Sequence, residues 1–146
     1  MKVAYITGCA GFIGSHITEY FLARNWIIRG IDKMTYASDE AIIQEFEKKY
    51  ENFYFEKKDI NDIDHLYDCD YIINCAAESH VDNSIMSSDS FIKSNIGGVH
   101  RLLELIKSKR NYEMPTLIHF STDEVYGDIK KGSAKENTLL NPSNPS

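Results

Sequence analysis

The chain has 146 residues, of which 42% are hydrophobic and 26% are charged. This balance is typical of a globular protein and excludes a disordered, collagen-like or disulfide-scaffold chain. Sixteen basic residues against 22 acidic ones leave a net charge of −6. We therefore expect no nucleic-acid partner and no membrane surface, because both require clustered Lys and Arg.

The cysteines and the N-terminal segment indicate the compartment. Cys9, Cys69 and Cys75 include no C-x-x-C pair. Their odd number fits reduced thiols, which serve as small core residues, better than a disulfide framework. Glycines interrupt the N-terminal apolar stretch too early for a signal peptide, and no apolar run approaches the roughly 20 residues of a membrane span. We expect a cytoplasmic protein with a single domain.

Short apolar runs alternate with amphipathic segments, which is typical of βαβ units and a parallel sheet. The runs predict five strands, at 3–7, 27–32, 53–57, 71–76 and 116–121. Helices are predicted at 12–24, 39–50 and 90–109. Right-handed crossovers then give a doubly wound sheet of order 3-2-1-4-5, with its ligand site at the switch between the first and fourth strands.

The third predicted helix is the least regular. Gly97 and Gly98 lie in its middle, where glycine disfavours helix formation. Its apolar residues are predicted to face inward; they are Phe91, Ile92, Val99, Leu102, Leu103 and Ile106. Beyond it, the segment from Gly127 onward has no predicted element, so it is either a functional loop or the edge of a longer protein.

A glycine-rich turn, G-C-A-G-F-I-G at residues 8–14, follows the first predicted strand and opens the first predicted helix. This context is typical of a dinucleotide site. Gly8 permits the tight turn, Gly11 lets backbone N–H groups approach a pyrophosphate, and Gly14 lets the helix pack closely on the strand. An ordinary strand–helix turn needs one glycine, so we interpret the motif as a dinucleotide site.

Asp32 ends the second predicted strand, 18 residues after Gly14. A carboxylate at this point accepts hydrogen bonds from the adenosine ribose and repels a 2′-phosphate, which favours NAD over NADP. Arg29 is close enough to leave that preference open, and the alternative role for Asp32 is a helix or turn cap. Asp59 follows the third strand, and two roles are open for it as well: a contact with adenine, or a cap.

With its G-x-x-G-x-x-G spacing, the chain resembles the extended short-chain dehydrogenase/reductase superfamily. The segments IDKMTYA (31–37), AAESHVD (76–82) and STDEVYG (121–127) narrow the resemblance to its dTDP-glucose 4,6-dehydratases. The resemblance implies that residues 1–146 form a Rossmann-type NAD-binding domain, that a C-terminal substrate domain is absent from this chain, and that the full-length protein is a homodimer. It also implies a nucleotide-sugar substrate and a role in deoxysugar biosynthesis.

The resemblance assigns the chemistry to three neighbouring residues. Thr122 would hydrogen-bond the sugar 4-hydroxyl, Asp123 would be the general acid at the C6 hydroxyl, and Glu124 would remove the C5 proton. Oxidation at C4 by NAD makes the C5 proton acidic, so that one base and one acid can eliminate water. Because the hydride then returns to C6, NAD is a retained prosthetic group and the enzyme is a hydro-lyase.

Further contacts follow from the same resemblance. The implied cofactor-binding residues are Gly8, Gly11, Phe12, Ile13, Gly14, Asp32, Lys33, Thr35, Asp59, Ile60, Ala76, Ala77 and Ser79, and the implied substrate contacts are His80, Ser84 and Thr122. No metal site is expected, because the spacing of Cys75, His80 and Asp82 does not suit zinc. Asn95 is either a structural or proton-relay residue, or a helix Asn satisfied by backbone.

The chain also departs from the resemblance. Asn83 stands where the family commonly has Arg, and Val99 where it often has Thr. Ser146 stands where the family begins its Y-x-x-x-K motif, so we expect an N-terminal part that is inactive alone. Two alternatives remain: another extended short-chain enzyme, such as a UDP-sugar epimerase or decarboxylase, which usually lacks the acidic pair, and a non-catalytic dinucleotide sensor, which needs no acid or base.

Overall fold

The computed structural model describes residues 1–145, apart from the side chain of Val81, so Ser146 of the predicted domain lies outside the described residues. The strands are β1 (Val3–Thr7), β2 (Ile27–Asp32), β3 (Phe53–Lys57), β4 (Tyr71–Asn74) and β5 (Thr116–His119). All neighbouring strands are parallel, in the order β3-β2-β1-β4-β5. The predicted fold class and strand order are confirmed.

The helices lie between the strands as predicted. They are α1 (Phe12–Leu22), α2 (Glu40–Lys49), α3 (Val81–Met86), α4 (Asp89–Phe91), a π-helical segment (Ile92–Gly97) and α5 (Gly98–Lys107), with short 3₁₀ turns at Ile60–Asp62, Asn111–Glu113 and Asp123–Tyr126. The Asp39 carboxylate caps α2 by accepting a hydrogen bond from the Ala41 N–H. No described helix combines the length and apolar character that a membrane span requires.

Two apolar clusters cover the two faces of the sheet. Successive side chains of β1 point to opposite faces, so that Ala4 and Ile6 join one cluster while Tyr5 joins the other. The first cluster includes buried residues of α1 and α2, and the second includes Leu102 and Leu105 of α5. The sheet is therefore covered on both sides, and its strand ends are left for a site.

The third predicted helix forms as a continuous helical stretch from α4 to α5, and its two glycines do not break it. A Cβ at Gly98 would overlap the Ile60 side chain, and one at Gly97 would lie 2.9 Å from the Asn61 side-chain oxygen. The glycines therefore allow this stretch to approach the turn after β3 closely.

The inward face predicted for this stretch is partly wrong. Phe91 and Leu102 are buried, but Ile92 and Leu103 are 51% and 48% exposed, and Leu105 is buried instead. A π-helical segment contains an extra residue per turn relative to an α-helix. The side chains within and after this segment therefore point in directions that differ from those of a regular 3.6-residue period, on which the prediction was based.

The strands β4 and β5 each end two residues earlier than predicted, at Asn74 and His119. The chain leaves the sheet at these points to form the loops described below. The described residues after Gly127 contain no helix or strand, as predicted. This tail is nevertheless attached, because the Asn141 N–H donates a hydrogen bond to the Val125 carbonyl.

Candidate functional site

A cleft opens at the carboxyl ends of β1, β2, β3 and β4, where the strand order predicts a ligand site. It encloses about 550 Å³ of empty space, a volume that includes solvent at its open mouth. The predicted cofactor residues that line it are Gly8, Gly11, Asp32, Lys33, Thr35, Asp59, Ile60, Ala76 and Ala77.

The other predicted cofactor residues lie beside the cleft. Phe12, Ile13 and Gly14 form the first turn of α1, and Ser79 is exposed in the loop after β4. Residues that the sequence analysis missed also line the cleft; they include Thr7, Ser38, Lys58, Cys75, Glu78 and Ser94. Thr7, Lys58, Cys75 and Glu78 lie at or near the ends of predicted strands, which was their only sequence signal. Ser38 and Ser94 had no such signal.

The glycine turn is held tightly against its neighbours. Gly8 has a φ of +72°, and a Cβ there would lie 2.8 Å from backbone atoms of Cys75 and Ala76. A Cβ at Gly14 would overlap the Gly8 carbonyl oxygen, so glycine there lets α1 pack closely on the turn, whereas the sequence predicted close packing on the strand. A Cβ at Gly11 would meet only the Gly8 oxygen, at 3.4 Å. Glycine at that position therefore keeps the cleft side of the turn open.

The amino end of α1 provides a place for negative charge. Its N-cap Gly11 supplies no capping side chain, and its first turn contains no acidic residue. The first N–H groups of a helix have no partners within the helix and carry partial positive charge. By contrast, α2 starts with the capping Asp39 and with Glu40 in its first turn. The open end of α1 therefore fits a diphosphate.

Asp32 is only 7% exposed and organises two segments. One oxygen accepts a hydrogen bond from the Ala10 N–H at 3.0 Å, and the other accepts from the Met34 N–H and the Ser38 hydroxyl, both at 2.8 Å. A carboxylate offers about four acceptor positions. Asp32 thus caps the turn after β2, one of its two predicted roles, and retains capacity for a ribose hydroxyl, which stays a prediction.

Asp59 also acts as a cap. Its carboxylate accepts hydrogen bonds from the Asn61 N–H and the Asn61 side-chain amide, both at 2.9 Å. Burial raises the pKa of the Asp59 carboxyl, but these hydrogen bonds and the positive charges of Lys33 and Lys93 together outweigh burial, and the pKa is lowered below its ordinary value. The adenine contact stays a prediction.

Glu78, after β4, was not singled out from the sequence. Its carboxylate lies 3.2 Å from the Lys33 ammonium across the cleft. Its backbone is fixed by Asn95, whose side-chain oxygen accepts from the Glu78 N–H and whose side-chain amide donates to the Glu78 carbonyl, both at 2.9 Å. Of the alternatives for Asn95, the structure shows a helix Asn whose side chain is hydrogen-bonded to backbone groups.

Cys75 lines the cleft as a thiol and not as a thiolate. Burial raises its pKa to about 11. Among the described residues, all three cysteines are free, and no group of three or more His, Cys, Asp or Glu side chains is placed to hold a metal ion. Cys75 therefore contributes a small neutral surface to the cleft.

A short polar chain crosses the three neighbouring strands β1, β4 and β5. The Thr7 hydroxyl donates to the Asn74 side-chain oxygen, and the Asn74 amide donates to Nδ1 of His119 at 2.9 Å. These residues share one register position at the carboxyl edge. The chain fixes the end of β5, which leads to the acidic pair, relative to the strands that line the cleft.

The acidic pair lies in the 3₁₀ turn Asp123–Tyr126, just after β5. The Thr122 hydroxyl accepts a hydrogen bond from the Glu124 N–H at 3.2 Å and keeps its own O–H for another partner. Asp123 is exposed, whereas Glu124 is half-buried. This arrangement places one exposed and one half-buried carboxyl group at the same sheet edge as the cleft.

The two residues predicted to contact substrate alongside Thr122 differ in accessibility. His80 is exposed at the start of α3, and its ring lies 5.6 Å from the Tyr36 ring. Ser84 is buried, with 1% exposed. His80 is therefore open to a ligand in this structure, and Ser84 is covered.

A sequence model of the family described as GDP-mannose 4,6 dehydratase matches residues 5–145. The chain is 35% identical over 153 residues to a probable dTDP-glucose 4,6-dehydratase of Sinorhizobium fredii, a match that covers 96% of this chain and 43% of that protein. It is 35% identical over 159 residues to the dTDP-glucose 4,6-dehydratase of Haemophilus influenzae, covering 96% and 46%. The chain thus spans less than half the length of these relatives.

Solved structures agree with this relationship. The dTDP-glucose 4,6-dehydratase of Streptomyces venezuelae, solved with NAD bound, matches with a TM-score of 0.86 at 34% identity, covering 99% of this chain and 47% of that one. The UDP-Glc/GlcNAc 4-epimerase of Campylobacter jejuni reaches a TM-score of 0.88 at 24% identity, which shows the fold alone. Because the family match covers nearly the whole chain, this chain belongs to the family described as GDP-mannose 4,6 dehydratase.

Proposed function

We propose that this chain is the NAD-binding part of a nucleotide-sugar 4,6-dehydratase that acts on a substrate of the dTDP-glucose type. The observation that carries the proposal is the acidic pair Asp123 and Glu124, which follows β5 at the sheet edge where the cleft opens. An epimerase or a dinucleotide sensor needs no such pair. The dehydratase relatives at 35% identity support the same activity.

The cleft has the groups that NAD requires. The diphosphate would lie at the amino end of α1, over the glycine turn, where free N–H groups favour negative charge. Asp32 would accept a hydrogen bond from the adenosine ribose, and Asp59 and Ile60 would lie near adenine. The bound cofactor would take a hydride from C4 of the sugar and later return it at C6.

The chain's own residues would carry the proton transfers between these hydride steps. The Thr122 hydroxyl would donate to the sugar 4-oxygen. Glu124 would take the C5 proton once C4 is a ketone, and the exposed Asp123 would protonate the departing C6 hydroxyl. Each carboxyl group would then have one proton to move.

The activity proposed is that of the whole protein. The chain spans 43% and 46% of the two relatives above, so we assign residues 1–146 to the cofactor domain and the grip on the sugar nucleotide to a further domain. We place the enzyme in the cytoplasm, in deoxysugar biosynthesis. Its substrate class is a nucleotide sugar, and it needs no metal.

We also propose that the full-length protein is a homodimer. Ile92, Ile96 and Leu103 are exposed and recur at helical spacing along the π-helical segment and α5, with half-buried Val99 between them. An apolar stripe at spacings of four, three and four residues is typical of helix-to-helix packing between two copies.

The proposal is tested with the full-length protein and dTDP-glucose. We expect a 4-keto-6-deoxy sugar nucleotide, identified by its mass, to form without net consumption of NAD. Glu124→Gln should abolish most of this product, whereas Glu136→Gln, an exposed acid of the tail, should not change it. A 4-epimer of the substrate in place of the keto sugar would contradict the dehydratase assignment.

A further inference from the structure

The loop after β2, residues 33–38, contributes four of the residues that line the cleft. Strands β2 and β4 flank β1 on opposite sides. Neighbouring strands lie about 4.8 Å apart, so the ends of β2 and β4 face each other about 10 Å apart across the glycine turn. A contact between the loops after these two strands therefore passes above that turn.

Two such contacts exist, and they differ in chemistry. The Lys33 ammonium lies 3.2 Å from the Glu78 carboxylate. Three residues farther along the loop, the Tyr36 ring lies 5.6 Å from the His80 ring at an interplanar angle of 35°. An ion pair and a ring contact thus join the same two loops at successive points.

Both loops are anchored below these contacts. The loop after β2 is fixed to the glycine turn, because the Asp39 N–H donates to the Ala10 carbonyl and the Ser38 hydroxyl donates to Asp32. On the other side, Asn95 fixes the backbone of Glu78. The cross-cleft contacts are consequently the part of the arrangement that can open without unfolding either loop.

The loop also contains a backbone conformation that needs support. Met34 has a φ of +61°, in the left-handed region that side chains other than glycine disfavour. The Met34 N–H is held by Asp32, and the residues on either side of Met34 make the two contacts, Lys33 before it with Glu78 and Tyr36 after it with His80. Its closed position is thus maintained by specific contacts and not by local backbone preference.

We propose that residues 33–38 form a strap over the bound dinucleotide, and that Glu78 and Tyr36 close it and set how long the cofactor is retained. This inference rests on the NAD site proposed above. A hydride removed from C4 and returned at C6 requires that the cofactor stay bound between the two steps. A strap that slows dissociation meets that requirement.

The test measures cofactor release from the full-length protein. The protein is loaded with fluorescent etheno-NAD, which is then displaced by excess NAD in a stopped-flow instrument. A partly exposed ion pair contributes up to about 1 kcal/mol, so Glu78→Gln should accelerate release about threefold to fivefold. Tyr36→Ala should accelerate release to a similar extent through loss of the ring contact.

A matched control and a salt series make the test specific. Glu104→Gln removes the acid from an exposed ion pair with Lys107 on α5 and should leave the release rate unchanged. Added salt screens the Lys33–Glu78 pair, so release from the parent protein should become faster with salt, and release from Glu78→Gln should respond less.

The outcomes separate the strap from the proposed function. Suppose that etheno-NAD binds the parent protein, and that it dissociates from Glu78→Gln and from Tyr36→Ala at the parent rate, with unchanged circular dichroism. The strap is then wrong, and the NAD site stands. If the parent protein binds no etheno-NAD, the proposed function and the strap both fail.

Discussion

The carboxylate of Glu124 accepts a hydrogen bond of 2.6 Å from the side-chain amide of Asn144. The residue proposed to remove the C5 proton is therefore held by the tail, which also donates from the Asn141 N–H to the Val125 carbonyl. A single hydrogen bond to one oxygen leaves the second oxygen of Glu124 for the substrate proton. Asp123, one residue earlier, is exposed. The two acids thus differ in exposure and in hydrogen bonding.

The first prediction separates these two tasks in the full-length enzyme. Glu124→Gln should slow exchange of the C5 proton with solvent, and Asp123→Asn should slow loss of the C6 hydroxyl after a normal first oxidation. Each change should cost about 10²–10⁴-fold, the usual range for one proton transfer. Rapid-quench mass spectrometry in deuterated water distinguishes the two steps. If both variants eliminate water at the parent rate, Asp123 and Glu124 are only solvated residues of a loop.

The second prediction concerns Asp32. Asp32→Ala should lower the preference for NAD over NADP, because the carboxylate that repels a 2′-phosphate is gone. It should also lower the melting temperature, since three hydrogen bonds to the Asp32 carboxylate are lost. Titration with each cofactor and thermal unfolding check the two effects.

Asp39→Ala is the matched control for this change. It removes a capping carboxylate from the same loop, where Asp39 accepts a hydrogen bond from the Ala41 N–H. We expect a loss of about 1 kcal/mol of stability from the lost cap, with an unchanged ratio of NAD to NADP affinity. If the two variants shift that ratio equally, Asp32 has no specific role in cofactor selection.

The third prediction is a loss of stability at alkaline pH. Burial raises the pKa of Cys75 to about 11 from an ordinary value of 9.0. Between these values the unfolded thiol ionises and the folded one stays protonated, so the unfolded state binds fewer protons and stability falls as pH rises. Denaturant titrations from pH 8 to about 11 should show this fall, and Cys75→Ala should show a shallower one. An identical slope in that variant would mean that other groups carry the dependence.

The fourth prediction tests the apolar stripe on the π-helical segment and α5. Ile96→Glu should convert the full-length protein from dimer to monomer, because it buries a carboxylate at the centre of the proposed contact. Leu139→Glu changes an exposed apolar residue in the tail and should leave the dimer intact. Light scattering after size exclusion gives the mass of each variant. A dimer that survives Ile96→Glu places the interface elsewhere.

The sheet could be predicted from the sequence because its signals are local. The bounds of β1, β2 and β3 match the predicted runs. For β1 and β2 the reason is burial, because a parallel strand buried on both faces is mostly apolar. The glycine turn could also be predicted, as Gly8 and Gly14 occupy positions where a side chain does not fit. In both cases the structural requirement is visible in the residue types at those positions.

The remaining features depend on contacts between distant residues. No residue composition distinguishes the π-helical segment from an α-helix, so the exposure of Ile92 and Leu103 could not be predicted from periodicity. Glu78 gains its place from Lys33 and Asn95, which are 45 and 17 residues away in the chain. The sequence predicted many of the residues that line the cleft but not the contacts that link the two loops across it.

The two edges of the sheet differ in how they face solvent. At one edge, β3 ends in Glu56 and Lys57, whose charges oppose pairing with another sheet. At the other edge, β5 has the sequence TLIH, with Ile118 and the following Phe120 each 42% exposed. An uncharged edge with open backbone groups is a template for intermolecular β-pairing. When this polypeptide is concentrated alone, aggregation should therefore start along β5, and Ile118→Lys should raise its solubility.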